Sequence, residues 1–294
     1  MELGAHLPLI DLGHGSPSLG QLLDYTRAAD QLGFTFLCAN DHLVYSRPWL
    51  DGPTALAAAL EASGDMTLAT TVSLPVVRGP LALGKALGAL DHLSGGRVVA
   101  GVGPGSSARD AAAVGVPFEE RWQRLDDAIG ALRALWDPAA PPFVGHFYPT
   151  EGVKVDPPPA RAGGPPIWVG SWGSPAGLRR VARLADGWLA SAYNTSPSRF
   201  RECLDALGGT FTNGLATMWL YVTESKRKGN ALLADFLAPM LNRSLEELER
   251  LALPIGGRAA CAEVLASYAA AGAERVFLWP IADELRQLEL AASL

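Results

Sequence analysis

Residues 66–105, MTLATTVSLPVVRGPLALGKALGALDHLSGGRVVAGVGPG, decide the fold of this chain. They predict an apolar strand, a turn, an amphipathic helix, a turn at Gly95-Gly96 and a second apolar strand. Two strands joined through a helix form a βαβ unit, in which the strands run parallel. Both strands end in unusual backbone, since Thr71–Pro75 places small residues before a proline and Gly101–Gly105 carries little side chain. Such bare backbone lets a flat ligand approach closely.

The rest of the sequence repeats this alternation of apolar, strand-length runs and amphipathic helical stretches. The predicted strands lie near residues 4–10, 34–40, 67–73, 97–102, 166–170, 187–191, 215–223 and 275–279. The predicted helices lie near residues 18–32, 53–63, 80–93, 119–136, 174–185, 197–207, 244–252 and 258–271. This pattern favours an α/β fold with a single (β/α)8 TIM barrel as one domain over residues 1–294, and an open doubly wound sheet is the alternative.

A long insertion separates the fourth and fifth predicted strands, at about residues 104–165. Loops of this length are usually functional or disordered. Within it, residues 143–155 alternate apolar and polar side chains, which predicts a short hairpin suited to cover the barrel mouth. A second irregular stretch, residues 225–244, holds Lys226, Arg227 and Lys228 and is a candidate mobile segment.

Composition narrows the class of protein. Hydrophobic residues make up 49% and charged residues 18% of the 294 residues, which is enough for a large core. The net charge of −6 argues against nucleic-acid binding, which requires a basic surface. The apolar runs are interrupted well short of the roughly 20 residues that a membrane span needs. The N-terminus carries no basic export signal, so we expect a cytoplasmic protein without a membrane segment.

The three cysteines, Cys38, Cys203 and Cys261, are widely spaced along the chain. They form no CxxC motif and no Cys/His cluster. The sequence therefore predicts no metal site, and reduced thiols fit the cytoplasm.

In an α/β barrel, functional side chains gather at the carboxyl ends of the strands. This rule brings together Asp41-His42, Thr71–Ser73, Gly103–Ser107, Ser171–Ser174, Tyr193-Asn194 and Thr223-Glu224. The set holds no pair of carboxylates for hydrolysis, and the chain has no GxSxG nucleophile motif. A mouth lined by backbone, hydroxyls and aromatic rings suits a cofactor that brings its own reactivity.

The candidate catalytic residues are His42 and Asp41. An imidazole titrates near neutral pH, so it can donate or accept a proton or polarise a carbonyl group. The alternative is a histidine that caps the loop, with Asp41 fixing its tautomer. Of the other histidines, His6 follows the first strand and faces either the core or the substrate, while His14, His92 and His146 lack a catalytic context.

The candidate phosphate site is the loop of Gly170, Ser171, Trp172, Gly173 and Ser174. Ser174 is a favourable N-cap and Pro175 suits the first helical position, so amides and a positive helix end lie together. The alternative is an ordinary βα loop. Gly101–Gly105 falls short of a dinucleotide fingerprint, because Ser106 stands where the last glycine belongs.

The sequence resembles the luciferase-like monooxygenase superfamily, whose barrel enzymes use FMN or the deazaflavin coenzyme F420. The resemblance rests on stretches that occur in the family's order: Gly33-Phe34 through Asp41-His42, Leu90–Arg97, Gly101–Gly103, Phe118–Arg121, Pro165–Gly170, Ala185–Trp188 and Ala271–Val276. Each stretch alone is a weak indication of the family, whereas the whole set in this order is specific for it.

The resemblance implies roles for several residues. It places His42 beside the ring of the cofactor and the cofactor phosphate near residues 170–174. It implies a non-prolyl cis peptide at Thr71–Val72, with Val72–Ser73 as the alternative bond. The cofactor-binding residues expected on this basis are Thr71, Val72, Ser73, Gly103 and Ser106, together with the loop of residues 170–174.

The function expected from the resemblance is an oxidoreductase that transfers hydride to, or oxygenates, a small organic substrate. F420 is favoured over FMN, because the Pro75–Pro80 run and Ala185–Trp188 resemble the deazaflavin-using branch. The alternatives are a two-component FMN monooxygenase served by a separate reductase, and a non-catalytic cofactor-binding barrel. A homodimer is a further expectation. Ser106-Ser107 replaces the glutamate of related sugar-phosphate dehydrogenases, which argues against that substrate.

Overall fold

Short apolar runs form the strands of this protein, as the sequence pattern predicts. The computed structural model describes residues 1–13 and 15–294, so His14 lies outside the described residues. The strands are β1 (Glu2–His6), β2 (Phe36–Ala39), β3 (Thr67–Thr70), β4 (Val98–Val102), β5 (Ile167–Gly170), β6 (Gly187–Ser191), β7 (Asn213–Val222), β8 (Ile255–Gly256) and β9 (Arg275–Pro280). The first strand covers residues 2–6 rather than 4–10, because Pro8 has no amide hydrogen to continue the ladder.

The strands close into a parallel barrel. Along residues 1–13 and 15–294, β1 to β6 pair in chain order, β6 pairs with β7, β7 pairs with β9, and β9 returns to β1. The two-residue β8 pairs only with the outer end of β7. The predicted (β/α)8 barrel is therefore confirmed, and the open doubly wound sheet is excluded by the β6–β7 and β9–β1 pairings.

Helices surround this barrel. They are α1 (Leu19–Gln31), α2 (Gly52–Ala59), α3 (Pro75–Arg78), α4 (Pro80–Leu93), α5 (Ala108–Ala113), α6 (Arg121–Trp136), α7 (Pro175–Leu184), α8 (Pro197–Ala206), α9 (Lys226–Ala231), α10 (Ala238–Leu241), α11 (Leu245–Glu249), α12 (Arg258–Ala270) and α13 (Glu284–Ala291). Single 3-10 turns lie at Leu60–Ser63, Phe118–Glu120 and Ala192–Asn194, and a π-helix spans Leu232–Leu237. No helix in the described part of the chain is long and apolar enough to cross a membrane.

The barrel interior is filled by side chains from successive strands. These side chains are Phe36, Cys38, Ala69, Val99, Trp168, Leu189, Ala216 and Phe277. Glycines make room for the largest of them: a Cβ at Gly4 would lie 2.4 Å from Cδ1 of Phe277, and one at Gly187 would lie 2.6 Å from Cδ1 of Trp168. Ala69 and Ala216 are small, so space opens toward the carboxyl ends of the strands.

The insertion between β4 and β5 differs from the prediction. Residues 143–155 form no strand; they make a loop in which the Thr150 amide donates to the Phe143 carbonyl at 3.0 Å. The Phe147 amide donates to Asp127 on α6 at 2.7 Å, and Phe143 packs over Gly130 of the same helix. The alternation therefore reflects packing against α6, and this segment does not cover the barrel mouth.

Other segments approach the mouth instead. The turn at Phe118–Glu120 and the start of α6 lie on one side of it. On the other side lies the segment between β7 and β8, which is helical from Lys226 to Leu241, where the sequence predicted a loose stretch.

His6 is part of the core and has no exposed surface. Its Nε2 accepts a hydrogen bond from the Asn40 amide at 3.1 Å, so Nδ1 carries the hydrogen that is donated to the Leu7 carbonyl at 2.8 Å. Its ring stacks on Trp279 with the centroids 3.6 Å apart. Burial lowers the pKa of His6 from 6.5 to about 3, although the bond to Leu7 acts in the opposite direction. His6 is therefore neutral near pH 7 and is no proton donor.

The lowered pKa of His6 predicts acid sensitivity. The unfolded chain binds a proton at this histidine below its ordinary pKa of 6.5, whereas the folded chain does not until the pH approaches 3. Stability is thus fully present above pH 6.5 and falls with decreasing pH, by about 2 kcal/mol from His6 alone at about pH 5. Urea unfolding of the wild type and of His6→Gln at about pH 7 and pH 5 measures this loss in the free energy of unfolding, which should be larger in the wild type. An equal loss in both proteins would contradict the assignment.

Candidate active site

The end of β3 leaves the sheet and forms a bulge at the barrel mouth. The Thr71–Val72 peptide is cis, as the resemblance implied. The Ser73 amide donates to the Gly101 carbonyl at 2.8 Å, and the Gly103 amide donates to the Ser73 carbonyl at 3.0 Å. These two bonds fasten the bulge to the end of β4.

Glycines around Val72 keep this bulge in place. A Cβ at Gly101 would lie 1.9 Å from the Thr70 carbonyl oxygen, so no other residue fits there. A Cβ at Gly103 would lie 2.7 Å from Val72 Cγ2, and one at Gly170 would lie 3.2 Å from Val72 Cγ1. The Val72 side chain packs on the barrel interior. The ends of β3, β4 and β5 therefore meet in a flat platform formed by Thr71, Val72, Gly103 and Gly170. We name this surface the mouth platform.

His42 lies beside this platform and is paired with Asp110. Its Nδ1 is 2.6 Å from Oδ2 of Asp110, whose side chain has no exposed surface. The other carboxylate oxygen of Asp110 accepts hydrogen bonds from the amides of Leu43 at 3.0 Å and Val44 at 2.6 Å. Asp110 thus holds both the imidazole and the backbone of the loop that carries it.

The charge state of Asp110 fixes the tautomer of His42. Burial raises the pKa of Asp110, but the hydrogen bonds from His42, Val44 and Leu43 together with the charge of His42 outweigh it and hold the pKa below its usual value. An ionised carboxylate only accepts hydrogen bonds, so Nδ1 of His42 carries a hydrogen. The Nε2 atom is then the one available for proton exchange in the cleft.

The sequence alternative in which Asp41 fixes the His42 tautomer is wrong. Asp41 is buried and accepts two hydrogen bonds from Arg78, from Nε to Oδ2 and from Nη2 to Oδ1, each at 2.6 Å. Arg78 also donates to Asp51, the N-cap of α2. This carboxylate is engaged by a guanidinium, because the Val77-Arg78-Gly79 turn lies against the loop after β2.

Arg78 connects two loops of the mouth. Burial lowers its pKa, but the hydrogen bonds and charges of Asp41 and Asp51 outweigh that effect and raise the pKa above its usual value. A bidentate pair between a buried carboxylate and a guanidinium is among the stronger polar contacts in proteins. The network fixes the loop that carries His42 relative to the bulge at Thr71–Ser73.

A first cleft opens over the mouth platform and contains most of the predicted site residues. The predicted residues that line it are Asp41, His42, Thr71, Val72, Gly103, Ser106, Gly170, Ser171 and Trp172. The first cleft is also lined by residues that were not named as catalytic or cofactor-binding candidates: Asn40, Leu74, Pro104, Gly105, Phe118, Arg121, Trp122, Leu189, Ala190, Ser191, Tyr193, Ala216 and Thr217.

Three predicted residues do not line the first cleft. Ser73 is fully buried beneath the platform. Gly173 is buried with φ of 82°, and a Cβ there would lie 2.6 Å from Sγ of Cys203. Ser174 caps α7 as predicted, accepting from the Gly177 amide at 3.1 Å. The loop of residues 170–174 therefore reaches the cleft through Gly170, Ser171 and Trp172.

Two polar atoms at the first cleft have no protein partner. Within the described residues, neither Oγ1 of Thr71 nor Oδ1 of Asn40 makes a hydrogen bond, although both atoms are buried. Buried polar atoms are nearly always hydrogen-bonded. These atoms and the bare platform fit a flat ligand with polar edges, as a flavin or deazaflavin ring has.

A second cleft adjoins the first. It shares Asn40, His42, Ser106, Trp172, Tyr193 and Thr217 with the first cleft, and its other walls are Tyr45, Trp49, Ser107, Asn194, Trp219, Met240, Leu241, Arg243 and Trp279. A shift in register within β7 places Thr217, with φ of 58°, at the boundary between the two clefts. Among the described residues, no group of three or more His, Cys, Asp or Glu side chains is arranged to hold a metal ion.

The sequence analysis did not predict that Asp110 holds His42. The one local signal is Ser107-Ala108-Arg109-Asp110, in which Ser107 accepts a hydrogen bond from the Asp110 amide at 3.1 Å and starts α5. This pattern marks a helix start but says nothing about a histidine 68 positions earlier.

Comparison with known proteins adds to this geometry. A family model for luciferase-like monooxygenases matches residues 5–211. An F420-dependent hydroxymycolic acid dehydrogenase of Mycobacterium tuberculosis is 31% identical over 64% of this chain and 53% of that protein. An F420-dependent glucose-6-phosphate dehydrogenase of Intrasporangium calvum is 34% identical over 58% of this chain and 54% of that protein. The chain thus spans about half the length of the curated relatives it matches.

One solved structure illustrates how far the fold is shared. An F420-dependent secondary alcohol dehydrogenase in complex with an F420-acetone adduct has a TM-score of 0.83 with this chain. The identity is 17%, and the match covers 99% of this chain and 97% of that one. At this identity the likeness establishes the fold alone.

Proposed function

Because this chain belongs to the luciferase-like monooxygenase family, we propose that it is an oxidoreductase that binds coenzyme F420 or FMN in the first cleft. The observation that carries the proposal is the mouth platform beside the His42–Asp110 pair. The platform accepts a flat ring, and the pair presents a proton-exchanging atom in the same cleft. The substrate is a small organic molecule in the adjoining second cleft.

F420 is the favoured cofactor. The curated relatives reported above are named as F420-dependent dehydrogenases, which supports this choice. FMN is the alternative, since its ring has the same flat shape, and an FMN oxygenase would depend on a separate reductase for reduced cofactor. Either cofactor, when bound, supplies hydride transfer, and reduced FMN also supplies oxygen activation.

The residues of the first cleft divide the work of binding. The backbone of Thr71 and Val72 and the Val72 side chain support the face of the ring, and Ser73 lies buried beneath them. The unpartnered Oγ1 of Thr71 and Oδ1 of Asn40 offer hydrogen bonds to its polar edges. The lining is largely apolar and aromatic, which excludes water from the reacting atoms.

His42 is the proposed catalytic residue, and Asp110 is its positioning residue. Asp110 holds the Nδ1 hydrogen of His42, so Nε2 receives or releases the proton that accompanies a hydride transfer. Asp41, the second predicted catalytic residue, contributes through Arg78 by fixing the loop that carries His42. We propose for Asp41 a structural role in the site.

The loop of residues 170–174 is the proposed phosphate site. The N-terminus of α7 supplies positive potential, and Ser171 and Trp172 line the cleft beside it. Gly173 contributes by its left-handed backbone and by leaving room for Cys203, so a substitution there would test packing and not phosphate binding. Ser106 and Gly103, on the β4 side, border the ring on this proposal.

Titration of the purified protein with F420 and FMN separately tests the cofactor assignment. A saturable change in the absorbance spectrum is expected with F420, and riboflavin should bind more weakly than FMN, because it lacks the phosphate. One charge-assisted phosphate contact corresponds to about tenfold or more in the dissociation constant. No spectral change with either cofactor would refute the proposed function, whereas a change with FMN alone would select the alternative.

Variants of the His42–Asp110 pair test catalysis apart from binding. His42→Ala should lower the turnover rate by roughly a hundredfold, since general acid–base catalysis contributes this much. Asp110→Asn should lower it by about tenfold, because the amide cannot both accept from Nδ1 of His42 and satisfy the two backbone amides. The cofactor dissociation constant should stay within about tenfold for both variants. Unchanged turnover in His42→Ala would favour the non-catalytic cofactor-binding barrel.

A further inference from the structure

The second cleft has aromatic walls. The rings of Trp219 and Trp279 stack with their centroids 4.3 Å apart and their planes 17° apart, and His6 stacks on Trp279 at 3.6 Å. Trp49 meets Trp279 edge-on at 5.7 Å, and Tyr45 meets Trp49 at 4.7 Å. Because Trp219 and Trp279 stand on β7 and β9, their edges are presented to the cleft from rigid strands. An aromatic lining of this kind favours flat, conjugated molecules.

Three indole N–H groups of this cleft lack a partner. Within the described residues, Nε1 of Trp49, Trp219 and Trp279 is buried and makes no hydrogen bond. Trp219 and Trp279 are 2% and 1% exposed. A buried indole N–H usually finds an acceptor.

Two fully buried tryptophans elsewhere in the described part of the chain have hydrogen-bond partners. Nε1 of Trp136 donates to the Gly84 carbonyl at 2.8 Å, and Nε1 of Trp188 donates to the Ser171 carbonyl at 3.1 Å. The unpartnered donors therefore concentrate in one cleft, which points to a ligand that accepts hydrogen bonds there.

Arg243 places a positive charge at the edge of the same cleft. Its guanidinium donates to the neutral Asn194 side chain and lies 5.9 Å from the ring centroid of Tyr193. Among the described residues, no carboxylate forms an ion pair with it. Apart from His42, Arg243 is the one basic side chain among the described residues that line the second cleft. A single guanidinium matches a carboxylate bidentately.

We propose that the second cleft binds a flat, conjugated carbonyl compound that carries a carboxylate. Its carbonyl oxygen accepts from the indole N–H groups, its ring system lies along the aromatic walls, and its carboxylate pairs with Arg243. The claim that this compound is the substrate rests on the proposed function. The claim that the second cleft binds it rests on the geometry of the cleft alone. A sugar phosphate fits poorly, since it is neither flat nor matched by a single cation.

Four probes separate the three recognition elements. They are 6-acetyl-2-naphthoate, with all three elements; 6-ethyl-2-naphthoate, without the carbonyl; 2-acetylnaphthalene, without the carboxylate; and decalin-2-carboxylate, without the carbonyl and without the flat ring, which is compared with 6-ethyl-2-naphthoate. Isothermal titration calorimetry measures each dissociation constant, on protein saturated with whichever cofactor binds and on cofactor-free protein. The first probe should bind most tightly, by about fivefold or more over each of the others.

Substitutions in the second cleft test where the probes bind. Trp219→Phe and Trp279→Phe keep the ring but remove the donor, so each should weaken 6-acetyl-2-naphthoate about fivefold and leave 6-ethyl-2-naphthoate unchanged. Arg243→Gln should abolish the preference for 6-acetyl-2-naphthoate over 2-acetylnaphthalene. Trp136→Phe, the same change at a distant buried site, is the matched control. Trp49→Phe, outside the stacked pair, repeats the donor test if either stacked variant unfolds.

The outcomes separate this inference from the proposed function. Equal affinity for decalin-2-carboxylate and 6-acetyl-2-naphthoate would overturn it, and so would donor and Arg243 variants that bind like Trp136→Phe. If the probes and variants contradict the inference but the cofactor binds normally, the proposed function is retained and the proposed substrate class is rejected. If the probes follow the expected pattern in a protein that binds neither F420 nor FMN, the site stands and the proposed function falls.

Discussion

The close approach of β3 and β4 at the barrel mouth is the constraint on which the site depends. Gly101 leaves no room for a side chain against the Thr70 carbonyl, and the Ser73 and Gly103 amides lock the two strand ends together. Because of this approach, Val72 seals the top of the barrel interior and backbone is left facing the mouth. A ligand that lies on the platform meets peptide groups and the small side chains of Thr71 and Val72.

Hydrogen bonds to two buried carboxylates join the loops around that platform. The His42–Asp110 pair links the loop after β2 to the insertion after β4, and the Arg78–Asp41 pair links the same loop to the bulge. For an ion pair such as Arg78–Asp41, loss of one buried member typically costs about 3–5 kcal/mol, because the other charge is left unpaired. These contacts hold His42 in one orientation on a rigid barrel, which general acid–base catalysis requires.

The sequence predicted the features that are local. The alternating pattern located the barrel strands, and the strand-end rule placed His42 and the bulge of Thr71–Ser73 at one mouth. The pairing of His42 with Asp110 spans 68 positions, and no local pattern encodes it. The alternation of residues 143–155 wrongly predicted a hairpin, because a loop that packs on α6 can show the same alternation of apolar and polar side chains. The donor-rich second cleft was beyond prediction, since the partners of indole N–H groups appear only in three dimensions.

The central claim is that a flat cofactor lies on the mouth platform beside His42. A crystal structure of the protein grown with F420, and one grown with FMN, tests it most directly. The account predicts that the ring contacts the backbone of Thr71 and Val72 and that Nε2 of His42 lies about 3–4 Å from a ring or substrate atom. A ring bound away from the platform, or one held with His42 turned from Asp110 and out of the cleft, would contradict it.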